Sequence, residues 1–420
     1  MNTFKKLNAL ILTFSLVSVP ITVSSAERDQ AKKLYSSLTG NTANKAQADY
    51  YEQLIKEGSL AQAALEMVES NKGFYNVTLK NFFTPMSNED GSSFAPLNDM
   101  TATLIGATRD NLDFFRVFYD DVLYQFDGEL INNEIQDLPE AFARYQPTND
   151  WFYLRDLGVA VPMYNRTKND MYLKAEEGNV PLGNRKYFKL SSQKTFTTKQ
   201  PEAIAGIFST RAWAEAFYQA GTNRAAFAFF AKNFMCLEME QLSDTTIPDY
   251  RIRRDVDRAP GGFSETFKNS CVGCHAGMDA LAGAFSYYDF VDGTMVYFSH
   301  DTDEGVLGPV APKINLNNLF SEGHITQSDS WVNLWTSGQN EYIGWGEASA
   351  GSGVVELGRM LSETQQVRTC LSQKVFETVC YRKPESLADQ SVVQTLAAKF
   401  DRDGNMKDLF INSSIACMGE

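Results

Sequence analysis

The chain has 420 residues, of which 43% are hydrophobic and 21% are charged, a composition typical of a folded globular protein and not of a collagen, a coiled coil or a disordered chain. Its 38 basic and 52 acidic residues give a formal charge of −14, which disfavours nucleic acid as a partner because phosphate-binding surfaces need a strong cationic patch. The length predicts two or three domains with sizeable cores.

The first 26 residues are predicted to be an export signal. Lys5 and Lys6 precede an apolar stretch at 10–19, and small residues end at Ala26, after which cleavage is expected. The alternative is a transmembrane anchor, but the apolar run is interrupted by Pro20 and is shorter than the ~20 residues of a membrane span. Cleavage would leave 36 basic and 52 acidic residues, a charge of −16, on a periplasmic or otherwise exported protein without a transmembrane span.

Hydrophobic periodicity predicts a mainly α, multi-helical fold with minor β structure in the middle region. Three domains are expected after the signal: a helical domain over 27–146, a mixed but mainly helical domain over 147–260, and a C-terminal helical domain over 261–420. The predicted helices cover 60–67, 110–124, 210–220, 224–236, 367–379, 387–400 and 407–414. Short strands are predicted at 159–162 and 186–190, and the last three helices are expected to run up, down and up.

The segment Cys271-Val272-Gly273-Cys274-His275 is a C-x-x-C-H motif. Residues three apart lie on one face of a helix, so both thiols would reach the two vinyl groups of one porphyrin while the histidine projects toward the iron. A thiol redox centre or half of a zinc site are the alternatives, but neither explains the adjacent histidine. The motif therefore predicts one covalent haem c, with Cys271 and Cys274 as thioethers and His275 as the proximal iron ligand.

The sixth iron ligand is not defined by the sequence. The other two histidines, His300 and His324, and Met295 are the candidates, in the order His300, Met295, His324. Met278 lies one helical turn from His275, on the same side of the haem, and is a poor candidate for the far face. Met360 has the helical spacing of a core residue. An open sixth position is the remaining alternative.

Two features near the motif are interpreted as haem contacts. The small residues that follow His275 are expected to let the backbone approach a flat macrocycle. Arg254 and Arg258 precede the motif and are candidates for contacts with the haem propionates, because guanidinium groups bind carboxylates with two parallel hydrogen bonds. The alternative for these arginines is an ordinary surface patch of ion pairs with Asp255 and Asp257.

The other four cysteines are even in number, which in an oxidising compartment predicts two disulfides. Cys370 and Cys380 would lie about 15 Å apart on one continuous helix, too far for a bridge. If the last three helices run up, down and up, the end of the third returns beside the end of the first. This arrangement favours Cys380–Cys417 and leaves Cys236–Cys370, with buried free thiols as the alternative.

The segment from Cys271 to Gly293 reads C-x-x-C-H-x-x-M-D-x-L, followed by Ala284-Phe285, Tyr288-Asp289 and Gly293. It resembles the haem-attachment segment of a domain of unknown function found in large planctomycetal and proteobacterial cytochrome c proteins. The tail resembles the domain that usually follows it, through Glu356-Leu357, Met360-Leu361, Cys370-Leu371, Val375-Phe376, Asp408-Leu409-Phe410-Ile411 and Ser413-Ser414. Together these cover roughly 261–420, with weaker similarity over 110–121 and 233–236.

The resemblance implies a haem c protein with a cytochrome c-like C-terminal domain. It implies no particular reaction, because the family has no general assigned activity. The chain departs from the family in two respects: Ala280 stands where the family commonly has Pro, and there is one C-x-x-C-H where many long relatives carry an additional N-terminal cytochrome module.

The sequence favours an exported monohaem cytochrome c that transfers single electrons to or from an unidentified redox protein, for which the acidic charge suggests a basic partner. An alternative is a haem peroxidase or oxidase-like enzyme with an open sixth position and His300 or His324 as distal acid or base. A structural or assembly module that contains haem is the third reading. No catalytic residue is assigned.

Overall fold

The computed structural model describes residues 26–137, 160–196, 203–218, 224–252, 257–297 and 328–419. The expected export signal, His300, His324 and Arg254 lie outside these ranges. Within them the fold is mainly α-helical, as the periodicity predicts, and the strands of the described part form small two-stranded antiparallel sheets.

The N-terminal region is a succession of helices. Their bounds are α1 Ala26–Thr39, α2 Lys45–Lys56, α3 Leu60–Ser70, α4 Lys80–Phe83, α5 Asp99–Arg109 and α6 Gly128–Asp137, with a π-helical segment Phe74–Leu79 before α4. Helix α2 starts at a capping box in which the Asn44 side chain accepts a hydrogen bond from the Gln47 backbone N–H at 2.9 Å. Helix α3 confirms the helix predicted at 60–67. Every residue of α5 is buried, so this helix forms the centre of the region.

The helix predicted at 110–124 is wrong. Helix α5 ends at Arg109, and Asn111 adopts a left-handed conformation with φ 53°, which turns the chain. A short 3-10 segment at Phe114–Phe118 follows, and strand β1 then spans Leu123–Phe126. The apolar residues of this stretch had suggested one helical face, but they fill the core from several directions.

In the middle region, strand β1 pairs antiparallel with β2 Phe188–Ser191, which confirms the strand predicted at 186–190. The helices here are α7 Asp170–Glu177, α8 Arg211–Phe217 and α9 Arg224–Phe234. Helices α8 and α9 confirm the helices predicted at 210–220 and 224–236. Of the strand predicted at 159–162, residues 160–162 are described and are not in a strand.

The C-terminal region contains the C-x-x-C-H motif. Its helices are α10 Ser264–Ser270, α11 Val272–Ala282, α12 Gly353–Glu363, α13 Gln365–Cys380, α14 Leu387–Asp403 and α15 Met406–Ala416. Two hairpins lie between α11 and α12, β3 Tyr288–Val291 with β4 Thr294–Tyr297 and β5 Ser330–Val332 with β6 Ala350–Ser352. Helices α13, α14 and α15 confirm the three helices predicted at the C-terminal end.

The two ends of the chain share one core. Helices α1 and α3 pack against α15, where the Ser37 and Ser414 hydroxyls are 2.6 Å apart. The rings of Phe74 and Phe410 meet edge to face with centroids 5.6 Å apart. Described residues of the segments 27–146, 147–260 and 261–420 therefore contribute to a single hydrophobic cluster, and the division into three domains stays a prediction.

Candidate functional site

The C-x-x-C-H motif forms the first turn of α11. Helix α10 ends at Ser270, Cys271 is the junction residue with φ −119°, and α11 starts at Val272. The backbone N–H of His275 donates to the Cys271 carbonyl at 3.1 Å, which closes the first turn. Cys271, Cys274 and His275 are half-buried, whereas α11 is buried from residue 276 to its end. The motif is thus the part of α11 that reaches the surface.

The two motif thiols are not bonded to each other or to another cysteine. The Cys274 Sγ lies 3.4 Å from the Met239 carbonyl oxygen. Burial raises the pKa of the Cys274 thiol above its ordinary value, and a hydrogen bond with Ser243 opposes this effect. Both cysteines are therefore thiols at the surface end of a buried helix, available for covalent attachment.

One nitrogen of the His275 imidazole faces a buried ion pair between Asp279 and Arg224. Its Nδ1 lies 3.4 Å from Oδ1 of Asp279, which is one turn further along α11 and fully buried. Arg224, the first residue of α9, donates from Nε to the same oxygen at 2.5 Å and from Nη2 to Oδ2 at 3.2 Å. A carboxylate can only accept hydrogen bonds, so a proton on Nδ1 would be donated to Asp279 and would leave Nε2 for a ligand.

The small residues of α11 do not face open space, so the expectation that they admit a macrocycle is wrong. A Cβ atom at Gly277 would overlap the indole of Trp335, and one at Gly273 would overlap the Ser243 hydroxyl. Gly283, just after α11, is covered in the same way by the Ser330 carbonyl. These glycines let other parts of the protein approach the helix closely.

Arg258 is near the motif but is held by protein groups. Its guanidinium lies 4.3 Å above the centre of the Phe267 ring, which is itself 6.3 Å from the His275 ring. The Arg258 Nη2 donates to the Tyr250 carbonyl at 2.6 Å, and its Nε is 3.2 Å from an Asp249 carboxylate oxygen. Its contact with a propionate remains a prediction.

The structure does not identify a sixth ligand. Met295 is a buried residue of β4, and the β3–β4 hairpin packs against α8. Met278 is buried on α11. Met360 is a core residue of α12, and its sulfur accepts from the Asn333 side chain at 3.8 Å. Among the residues that the structure describes, no group of three or more His, Cys, Asp or Glu side chains is arranged to hold a metal ion.

The remaining four cysteines form the two pairs expected from the sequence, both at disulfide distance. Cys236 and Cys370 have Cα atoms 5.4 Å apart, and Cys380 and Cys417 have Cα atoms 5.7 Å apart. The first pair joins Cys370 of α13 to Cys236. Cys236 is three residues before Met239, whose carbonyl contacts Cys274. This pair therefore anchors the segment that borders the motif.

Sequence reasoning missed Asp279 and Arg224 as site residues. Asp279 had a local signal, because it is four residues after His275 and such residues share a helix face. Arg224 had none, because it is 55 residues from Asp279 in the chain and only packing of α9 on α11 brings them together.

No family model, curated protein or solved structure matches this chain. The resemblance of 261–420 to haem-attachment domains therefore stays a prediction. Over the described ranges, the helices all lack the length or the apolar character needed to cross a membrane.

Proposed function

We propose that this protein is an exported monohaem c-type cytochrome that transfers single electrons between redox partners. Cys271 and Cys274 would hold the haem through thioether bonds, and His275 would bind the iron through Nε2. The observation that carries this proposal is the placement of two unpaired thiols and one imidazole on a single surface turn, with the imidazole Nδ1 directed at a buried carboxylate.

The donor set fits haem c. Attachment needs two thiols that are free to react and an imidazole that can bind the iron, and the start of α11 carries two free cysteines and a half-buried histidine. When bound, the haem would supply a reversible one-electron couple. The protein would supply the ligand, its orientation and a partly buried environment.

The surroundings of α11 favour a rigid attachment site. Trp335 is fully buried, lies against Gly277 and stacks on Trp345 at 6.0 Å between centroids. The ring of Phe227 of α9 also packs against Trp335, with centroids 5.7 Å apart. A helix held in this way keeps the iron ligand in place when the charge of the iron changes.

Two further features support export and a basic partner. Two cysteine pairs at disulfide distance are in keeping with an oxidising compartment, where haem c attachment also takes place. The charge of −14 would steer the protein toward a positively charged partner, and this attraction would weaken as salt increases.

The test is a redox titration and an optical spectrum of protein exported in a host that attaches haem c. The expected result is one reversible one-electron transition and a reduced spectrum that carbon monoxide does not change, which indicates a filled sixth position. A change of the reduced spectrum on addition of carbon monoxide would contradict simple electron transfer and favour the peroxidase or oxidase-like alternative. Turnover of peroxide would then establish that alternative. The matched control is a Cys380→Ser/Cys417→Ser variant, which keeps the motif and should titrate like the wild type.

A further inference from the structure

We propose that Asp279, held by Arg224, is the positioning residue of the iron ligand. It would accept the hydrogen bond from His275 Nδ1, present Nε2 to the iron and lower the reduction potential. The inference rests on the proposed function, because it concerns the same histidine.

The geometry gives Asp279 a fixed position. Its side chain is 0% exposed, and that of Arg224 is 9% exposed, so water does not compete for the carboxylate. Arg224 holds both carboxylate oxygens, Nε to Oδ1 at 2.5 Å and Nη2 to Oδ2 at 3.2 Å. The oxygen that lies 3.4 Å from His275 Nδ1 is therefore also held by Arg224.

Helix geometry also places Asp279 next to His275. Residues four apart on a helix meet on one face, and the Trp335 indole lies so close to Gly277 that it restricts rotation of α11. The ring of His275 thus has one nitrogen fixed toward the protein and the other directed away from Asp279. Its side chain is 22% exposed, so part of the ring reaches the surface.

The chemical consequence follows from the charge of the acceptor. A carboxylate that accepts the Nδ1 proton makes a ligating imidazole a stronger electron donor than a neutral acceptor would. A stronger donor stabilises the ferric state more than the ferrous state, which lowers the reduction potential. Arg224 offsets part of the negative charge but leaves the carboxylate an acceptor for the Nδ1 proton.

The experiment compares the reduction potentials of the wild type and of Asp279→Asn, both carrying covalent haem. Asparagine keeps the size and an acceptor oxygen but removes the charge. We expect the ferric/ferrous equilibrium to shift about tenfold toward the ferrous state, a rise of roughly 59 mV for a one-electron couple. An unchanged or lower potential in a haem-loaded variant would overturn the proposal.

Asp99→Asn is the matched control. Asp99 is also buried, at 3% exposure, but its carboxylate accepts from the backbone N–H groups of Arg211 and Ala212 at the start of α8. This variant should lose stability without a change in potential. An equal shift in both variants would mean that any loosening of the core moves the potential, and Asp279 would then have no special role.

A second measurement covers the case in which Asp279→Asn does not fold. In the reduced wild type, the Nδ1 proton of His275 should give an NMR signal that exchanges slowly with water, because its acceptor is buried. Rapid exchange would contradict the hydrogen bond. The absence of covalent haem from the wild type would refute the proposed function and is separate from either result.

Discussion

Gly277 offers the sharpest test of how α11 is packed. A Cβ atom there would overlap three atoms of the Trp335 ring, Cε2, Cζ2 and Nε1. Trp335 has no exposed surface and is stacked on Trp345, so it has little room to move. We therefore expect Gly277→Ala to destabilise the protein, although alanine is normally the better helix former.

The magnitude follows from two opposing effects. Replacing glycine by alanine inside a helix contributes about 1 kcal/mol of stability. Inserting a methyl group into a filled core costs about 1–3 kcal/mol, and a rigid buried indole places this site in the upper half of that range. The net result is a loss of roughly 1–2 kcal/mol in the free energy of unfolding.

Denaturant unfolding of Gly277→Ala, Trp335→Phe and the double variant measures this effect. Phenylalanine lacks the ring atoms that the new methyl would overlap, so the double variant should be more stable than the sum of the single losses predicts, by about 1 kcal/mol or more. A stabilised Gly277→Ala with no coupling to Trp335 would refute the reasoning.

The same series, repeated in a Cys271→Ser/Cys274→Ser background, distinguishes packing from a haem contact. If Gly277 faces Trp335, the loss of stability persists without the motif thiols. If it appears only in haem-loaded protein, the glycine faces the macrocycle as the sequence had suggested.

Three further predictions concern the shared core and its charges. Lys407→Met should lower the free energy of unfolding by about 1–3 kcal/mol in a denaturant titration, because the buried ammonium donates to the Arg109 carbonyl at 2.8 Å. A variant as stable as the wild type would contradict this contact. The Cys380→Ser/Cys417→Ser variant removes a cross-link between residues 37 positions apart, and its free energy of unfolding should fall by about 2–4 kcal/mol. Identical stabilities of the oxidised wild type and the variant would show that the disulfide does not form. Burial alone would raise the pKa of Asp110, but hydrogen bonds from Arg109 and Arg185 hold that pKa below the usual 3.8. The contribution of Asp110 to the free energy of unfolding is therefore present above pH 3.8 and is lost as the pH falls below it, so Asp110→Asn should flatten the acid limb of a plot of stability against pH.

The parts of the fold that the sequence predicted depend on local spacing. Helices α13, α14 and α15 were visible from apolar residues at helical intervals, and their antiparallel order correctly placed Cys417 beside Cys380. The pairing of Cys236 with Cys370 then followed by elimination. The C-x-x-C-H spacing had placed both thiols on one face of a helix, and the motif lies at the start of α11.

The parts that were missed depend on contacts between distant residues. The aromatic run 114–118 resembled a helix face, but a left-handed Asn111 and packing against Phe400 of α14 override that local preference. The glycines of α11 seemed suited to a cofactor until Trp335, 58 positions after Gly277, took the space. Asp279 was visible in the motif, but its role depends on Arg224, which no local pattern connects to it.

The mass of the exported, denatured and purified chain tests the central claim most directly. The account predicts that the chain retains the added mass of one haem under denaturing conditions, and that Cys271→Ser/Cys274→Ser loses it while Cys236→Ser/Cys370→Ser keeps it. A wild-type chain without that added mass, produced in a host that attaches haem c to a control cytochrome, would contradict the account.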